Sequence, residues 1–163
     1  MGKRKLGTLA AAGMAILAAA VFCGQAVMAQ GKAAVPEQSL YGRLGGTYSI
    51  ATVVDDFIER LFVNDILNAN PKIKEARDLV PKAGLKFRVT ALVCQLTGGP
   101  EVYTGRNMKD SHAHLNINEK EWDAMVADFV ASLNHFKVPE KEQGELLALV
   151  GPTKSDIVTA AAK

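Results

Sequence analysis

Two of the three histidines in this chain, His112 and His114, fall in one stretch from Gly98 to Ile117. A neutral imidazole can bind a metal through one ring nitrogen while a carbonyl or similar acceptor orients the other. A helix over Asn107 to Leu115 would put Met108, His112 and Leu115 on one face, at spacings of four and three. His114 then points away, so the pair offers one metal ligand at most and not a chelate. On residue type and spacing alone, His112 reads more often as a core or capping histidine than as a ligand.

The elements that must position this stretch are helical. Leu40 to Leu44 forms a short turn ending at Gly45-Gly46, which suits the left-handed backbone that terminates helices. Ile50, Val53, Val54, Phe57, Ile58, Leu61 and Phe62 then recur at threes and fours until Asn64-Asp65 stops the run. Pro71 and Pro81 bracket a short surface helix carrying Ile73, Ala76, Leu79 and Val80. The next helix puts Leu85, Val89, Leu92, Val93 and Leu96 on one face and stops at Gly98-Gly99-Pro100. After the histidine stretch, Asn118 with Glu121 makes a capping box for a long helix bearing Trp122, Met125, Val126, Phe129, Leu133 and Phe136. Pro139 suits the first position of a last helix, with Leu146, Leu147 and Val150 inward and Gly151-Pro152 at its end. No strand alternation and no repeat appears, so the class is all-α.

At 163 residues the chain allows one domain plus a leader. Lys3, Arg4 and Lys5 precede an apolar run from Leu6 to Cys23, and Val27-Met28-Ala29 offers a cleavage site, so residues 1–29 read as an export signal. The alternative is an uncleaved anchor, since the run approaches the roughly 20 residues that span a bilayer. Phe22 argues against lipidation at Cys23. Residues 30–38 read as a flexible lead-in and 39–163 as the folded domain, expected in the periplasm or its equivalent. The mature chain keeps 16 of 19 Lys and Arg against 17 Asp and Glu, near −1, with no basic stripe for nucleic acid. Only Cys94 remains after cleavage, which leaves no internal disulfide and no Cys-x-x-Cys-His attachment for covalent haem.

The arrangement resembles the truncated haemoglobins, most closely their group I. The resemblance rests on Leu-Gly-Gly at Leu44 to Gly46, on Asp56-Phe57, on Gly-Gly-Pro-x-x-Tyr-x-Gly from Gly98 to Gly105, and on Met-Lys-x-x-His from Met108 to His112. It covers nearly all of the mature chain. It implies a two-over-two helical sandwich around haem b, with His112 as the proximal iron ligand and Met108 packing the proximal wall. Arg88 and Tyr103 match positions that contact the haem propionates, while Ile58, Leu85, Val89 and Val93 match haem-pocket positions. Their plain alternatives stay open: Arg88 as a solvated helix residue, Tyr103 as a loop anchor, and Leu85, Val89 and Val93 as ordinary core. His114 and His135 read as surface residues.

The departures bear on function. Ile58 stands where relatives commonly have a tyrosine, and Leu85 and Val89 stand where polar residues such as glutamine are frequent, so the distal side reads as apolar. The segment from Asn68 to Lys82 is longer than in compact relatives. The leading expectation is a haem globin that reversibly binds a diatomic gas, oxygen, nitric oxide or carbon monoxide. The alternative is a haem enzyme, a nitric oxide dioxygenase or a peroxidase; without a dinucleotide or flavin fingerprint, it needs an external electron donor. A membrane enters only through an uncleaved leader. A helical domain that kept the fold without the cofactor is the third possibility.

Overall fold

The computed structural model describes residues 39–160. The chain divides into two units, Met1–Gln30 and Gly31–Lys163, and the expected leader and lead-in lie outside the described residues. Among the described residues nine α-helices run in the order α1 (Leu40–Arg43), α2 (Gly46–Val63), α3 (Asp65–Asn68), α4 (Pro71–Leu79), α5 (Lys82–Leu96), α6 (Met108–His112), α7 (Glu119–His135), α8 (Glu140–Val150) and α9 (Lys154–Ile157), with a 3₁₀ turn at Gly151–Thr153. Among the described residues the only β feature is an isolated parallel bridge between Ile117 and Val158.

The helix starts follow from side chains that satisfy orphan first-turn amides. Ser39, Asn64, Asn70, Asn107 and Asn118 each accept from an amide of the helix they precede. Asn118 and Glu121 form the reciprocal capping box expected for α7. Between α1 and α2 the backbone turns through Gly45 (φ +84°) and Gly46 (φ +76°); a Cβ on Gly45 would also meet Ser49 Oγ at 2.6 Å. Pro139 is the cap of α8, one residue outside the expected first helical position. Gly151-Pro152 ends α8 as expected, yet the chain resumes helix at α9.

The long helix α2 packs against both α5 and α7, and α7 shares an apolar cluster with α8, giving two helical pairs stacked on one another. Three clusters fill the interior. Ile50, Val54, Ile58 and Cys94 join α2 to α5; Phe129, Leu133 and Leu146 join α7 to α8; Leu67, Ile73, Ile117, Trp122, Ala124 and Ile157 gather the shorter elements around the start of α7. Lys86 clamps α5 onto α2 through Asp55 and Glu59, both at 2.6 Å, and Lys82 adds a second bond to Glu59 at 2.8 Å. Such exposed pairs are each worth about 0–1 kcal/mol, so the apolar seam holds the helices together and the ion pairs adjust it.

Apolar assignments on three helices differ from the expected pattern, the first being Phe136, which is exposed as the C-cap of α7. Leu96 is 47% exposed, and Cys94, with no exposure at all, takes the inward place at the end of α5. On α4 only Ile73 is buried, while Leu79 and Val80 are exposed. A nine-residue helix held by proline and asparagine at its start needs only one anchor to dock.

Candidate functional site

Helix α6 is short because it starts at a cap and ends at a turn. Asn107 accepts from the amide of Asp110 at 2.7 Å, and the chain leaves the helix after His112 through a turn in which the Leu115 amide donates to the His112 carbonyl at 2.9 Å. Asn116 then takes φ +52°, a left-handed conformation that asparagine tolerates better than most side chains. Met108, His112 and Leu115 are half-buried and His114 is exposed, so one histidine faces inward and one outward, as the spacing predicts.

The His112 ring has a defined orientation. Its Nδ1 lies 2.8 Å from the Met108 carbonyl oxygen, which can only accept, so Nδ1 carries the proton and Nε2 keeps its lone pair. Burial pulls its pKa below the ordinary histidine value, the Met108 carbonyl opposes that, and the His114 charge lowers it further. A half-buried, neutral, oriented imidazole with Nε2 as its open nitrogen has the donor chemistry of an iron-porphyrin ligand.

Ile58, Leu85, Val89 and Val93 come together in one apolar cluster with Leu61 and Phe62. Ile58 is 1% exposed and lies deepest, while Leu85 and Val89 are half-buried at the edge. Met108 and Leu115 pack against the neighbouring cluster around Trp122, and Leu61 belongs to both, so the expected distal and proximal groups meet through one side chain of α2. Val93 also lines a small apolar pocket of about 40 Å³ together with Val54, Phe129, Leu133 and Leu146. On α5, Leu85, Val89, Leu92 and Leu96 recur at fours and threes as a partly exposed apolar strip, the surface a flat porphyrin face requires.

The two expected propionate contacts sit outside these clusters. Arg88 is exposed, with no hydrogen-bond or ion-pair partner among the described residues. The Tyr103 hydroxyl donates to the Arg106 carbonyl at 2.7 Å, and its ring leaves no room for a Cβ on Gly105, which would come within 2.2 Å of that hydroxyl. Tyr103 therefore anchors the loop that delivers α6.

Sequence reasoning passed over two groups. The first is a polar set beside Gly98-Gly99: the Tyr41 hydroxyl lies 2.7 Å from Thr47 Oγ1, which donates to Glu101. Cys94 lies against this set, and burial, with Glu101 nearby, pushes its thiol up to about 11, which makes it an inert core residue. The second is Asn70, 8% exposed, which donates to the Leu115 carbonyl at 3.0 Å and to Glu121 Oε2 at 3.2 Å. Asn-Pro at Asn70-Pro71 signals a helix start. Its long-range partners carry no local signal.

Comparison with known proteins bears on the family and the fold. The family model described as bacterial-like globin matches residues 39–159. A group 1 truncated hemoglobin of a Synechocystis species is 32% identical over 117 residues, covering 69% of this chain and 90% of that protein. The crystal structure of truncated hemoglobin from Tetrahymena pyriformis in its Fe(III) form superposes with a TM-score of 0.61 at 23% identity, over 74% of this chain and 98% of that one. The 2/2 hemoglobin of a Synechococcus species, solved in the cyanomet state with covalently attached heme, gives a TM-score of 0.61 at 21% identity over the same shares.

Proposed function

We propose a function for this chain from one premise: it belongs to the bacterial-like globins, and among them to the group 1 truncated haemoglobins. It is a haem-binding protein that holds haem b non-covalently through His112 and takes up a diatomic gas in an exported compartment. The observation that carries this reading is the His112 ring, inward-facing, neutral, and fixed by its Nδ1 bond to Met108 so that Nε2 is the ligating atom.

Haem, when bound, supplies an iron atom whose open face accepts a diatomic molecule. The chain's residues do the rest. Met108 packs beside the ligand histidine and holds its proton. Leu85 and Val89 form an apolar wall backed by Ile58, which excludes water and offers no hydrogen-bond donor. Arg88 supplies a cation at the solvent edge for a propionate, and Tyr103 holds the adjoining loop. That wall favours reversible binding over peroxide chemistry, which gains from polar distal groups. Export rests on the positively charged start, the apolar run after it and the Val27-Met28-Ala29 cleavage site.

The test is an absorption spectrum of the purified protein, oxidised and reduced, followed by extraction with acidified butanone. A Soret band that moves wholly into the organic phase supports haem b held by coordination. A colourless protein that does not take up added haemin rejects the reading, and haem that stays with the polypeptide rejects its non-covalent part. Intact mass of the native protein tests export, because the leader must be missing.

A further inference from the structure

We infer that Asn70, the cap of α4, is a positioning residue for the iron-ligating histidine. This inference rests on the proposed function for its meaning and on the following geometry for its substance.

The Asn70 amide uses all of its hydrogen-bonding capacity. Its Oδ1 accepts from the Lys72 amide at 2.9 Å and from the Ile73 amide at 3.4 Å, starting α4. Its Nδ2 donates to the Leu115 carbonyl at 3.0 Å and to Glu121 Oε2 at 3.2 Å. The backbone amides only donate and the Leu115 carbonyl only accepts, so no flipped amide satisfies the set. Glu121 is itself 7% exposed, and the oxygen that meets Asn70 also accepts from the Asn118 amide at 2.9 Å. One buried side chain thus ties the start of α4 to the start of α7 and to the turn that ends α6.

Leu115 lies three residues past His112, and its own amide bonds to the His112 carbonyl. Two residues further on, the Ile117 carbonyl accepts from the Thr159 and Ala160 amides, both at 3.0 Å, while α9 packs against α6. The turn after the ligand histidine is therefore gripped by Asn70 from one distant segment and by the C-terminal strap from another. A five-residue helix has too few internal bonds to fix its own orientation. These external bonds fix it, and with it the approach of Nε2 to the iron.

The experiment compares wild type with Asn70→Ser, which keeps a capping oxygen and loses both Nδ2 donors without adding charge, and with Leu146→Ala, a core truncation between α7 and α8 that lowers stability away from α6. In the haem-loaded ferrous proteins, Asn70→Ser should shift or broaden the iron–histidine stretching band and release haem to a scavenger about tenfold faster, the factor carried by the one lost buried bond that reaches the turn, to the Leu115 carbonyl. Leu146→Ala should lower the melting temperature and leave the band in place. In the haem-free proteins, amide exchange at Ala113 and Leu115 should speed up in Asn70→Ser relative to both others. A wild-type band and wild-type exchange in Asn70→Ser overturn the inference, as does an equal shift in Leu146→Ala. Haem retained at wild-type strength by a His112→Ala variant instead rejects His112 as the iron ligand, and the exchange measurement still decides whether Asn70 holds the turn.

Discussion

The Nδ1 atom of His112 and the carbonyl oxygen of Met108 are 2.8 Å apart, one turn from each other on a helix of five residues. Because the acceptor is a carbonyl, this contact decides which ring nitrogen is available, and the choice does not depend on any group outside the helix. We predict that His112→Ala loses haem or retains it only weakly, and that free imidazole partly restores the Soret band. His114→Ala and His135→Ala should keep the wild-type spectrum, since both residues are exposed. Loss of haem in the His114 variant alone would place the ligand on the wrong ring.

Acid sensitivity should trace in part to Asp56. Its carboxylate accepts from Arg60 Nε at 2.6 Å and from Ser132 Oγ at 2.7 Å, the latter on a side chain with no exposure. The Arg60 bond holds its pKa below the ordinary aspartate range; burial opposes this, and Ser132 and the His135 charge assist. A carboxylate depressed in the folded state contributes stability that is present above its unfolded pKa and is lost as pH falls through its folded one. Asp56→Asn should therefore cost about 1 kcal/mol at neutral pH, a figure reduced for partial exposure, and the gap to wild type should close in acid. Urea unfolding at a series of pH values measures this; a gap independent of pH would remove Asp56 from the account.

Gly99 should resist any side chain. Its φ is ordinary, so the constraint is steric: a Cβ there would stand 2.5 Å from Tyr41 Cδ2 and 2.7 Å from the Cys94 carbonyl oxygen. The Tyr41 ring can turn aside, but the Cys94 carbonyl is helix backbone and cannot. Gly99→Ala should cost about 1–3 kcal/mol, as overpacking of a filled interior does. By contrast Gly144→Ala, where nothing lies within 4 Å, should be neutral or stabilising by a few tenths. Thermal melts of the two variants make the comparison.

The contrast between these glycines also shows where sequence reading stops. The helices were legible because apolar residues at threes and fours report a face directly, and α2, α5 and α7 lie where Ile50 to Phe62, Leu85 to Val93 and Trp122 to Leu133 put them. His112 was legible as inward from Met108 and Leu115 alone. Leu96 and Leu79 were not, because the covered face at the end of α5 runs through Cys94 and Thr97 instead, and α4 docks through Ile73 alone. Asn70 was illegible for another reason: its partners, Leu115 and Glu121, are 45 and 51 residues away, and a polar residue's worth depends on what the fold brings to it. The Gly-Gly-Pro motif marked a helix end without revealing that Tyr41 packs on it.

Dioxygen release should be fast, and the structure names the substitutions that would slow it. A dioxygen ligand gains partial negative charge on its outer atom, so a donor aimed at it contributes about 1.5–3 kcal/mol, the range for hydrogen bonds to charged groups. Ile58, Leu85 and Val89 supply none; of the cations around their cluster, Lys82 and Lys86 pair with Glu59, Arg77 donates to the Leu61 carbonyl at 2.5 Å and lies on the face of Phe62, and Arg88 is exposed to solvent. At 1.4 kcal/mol per factor of ten, release should be on the order of ten to a hundred times faster than from a relative with a distal donor. Ile58→Tyr is the obvious repair, but Ile58 is 1% exposed, and adding a ring there should cost about 1–3 kcal/mol by overpacking. Leu85 and Val89 stand half-buried at the rim of the same cluster, where a longer polar side chain can turn its amide toward the ligand. Val89→Gln and Leu85→Gln should therefore slow dioxygen release toward the donor-bearing range while leaving carbon monoxide release nearly unchanged. Stopped-flow displacement on the ferrous proteins reads both rates. Slow release already present in the wild type, and indifferent to either glutamine, would mean that a donor outside these three residues reaches the ligand.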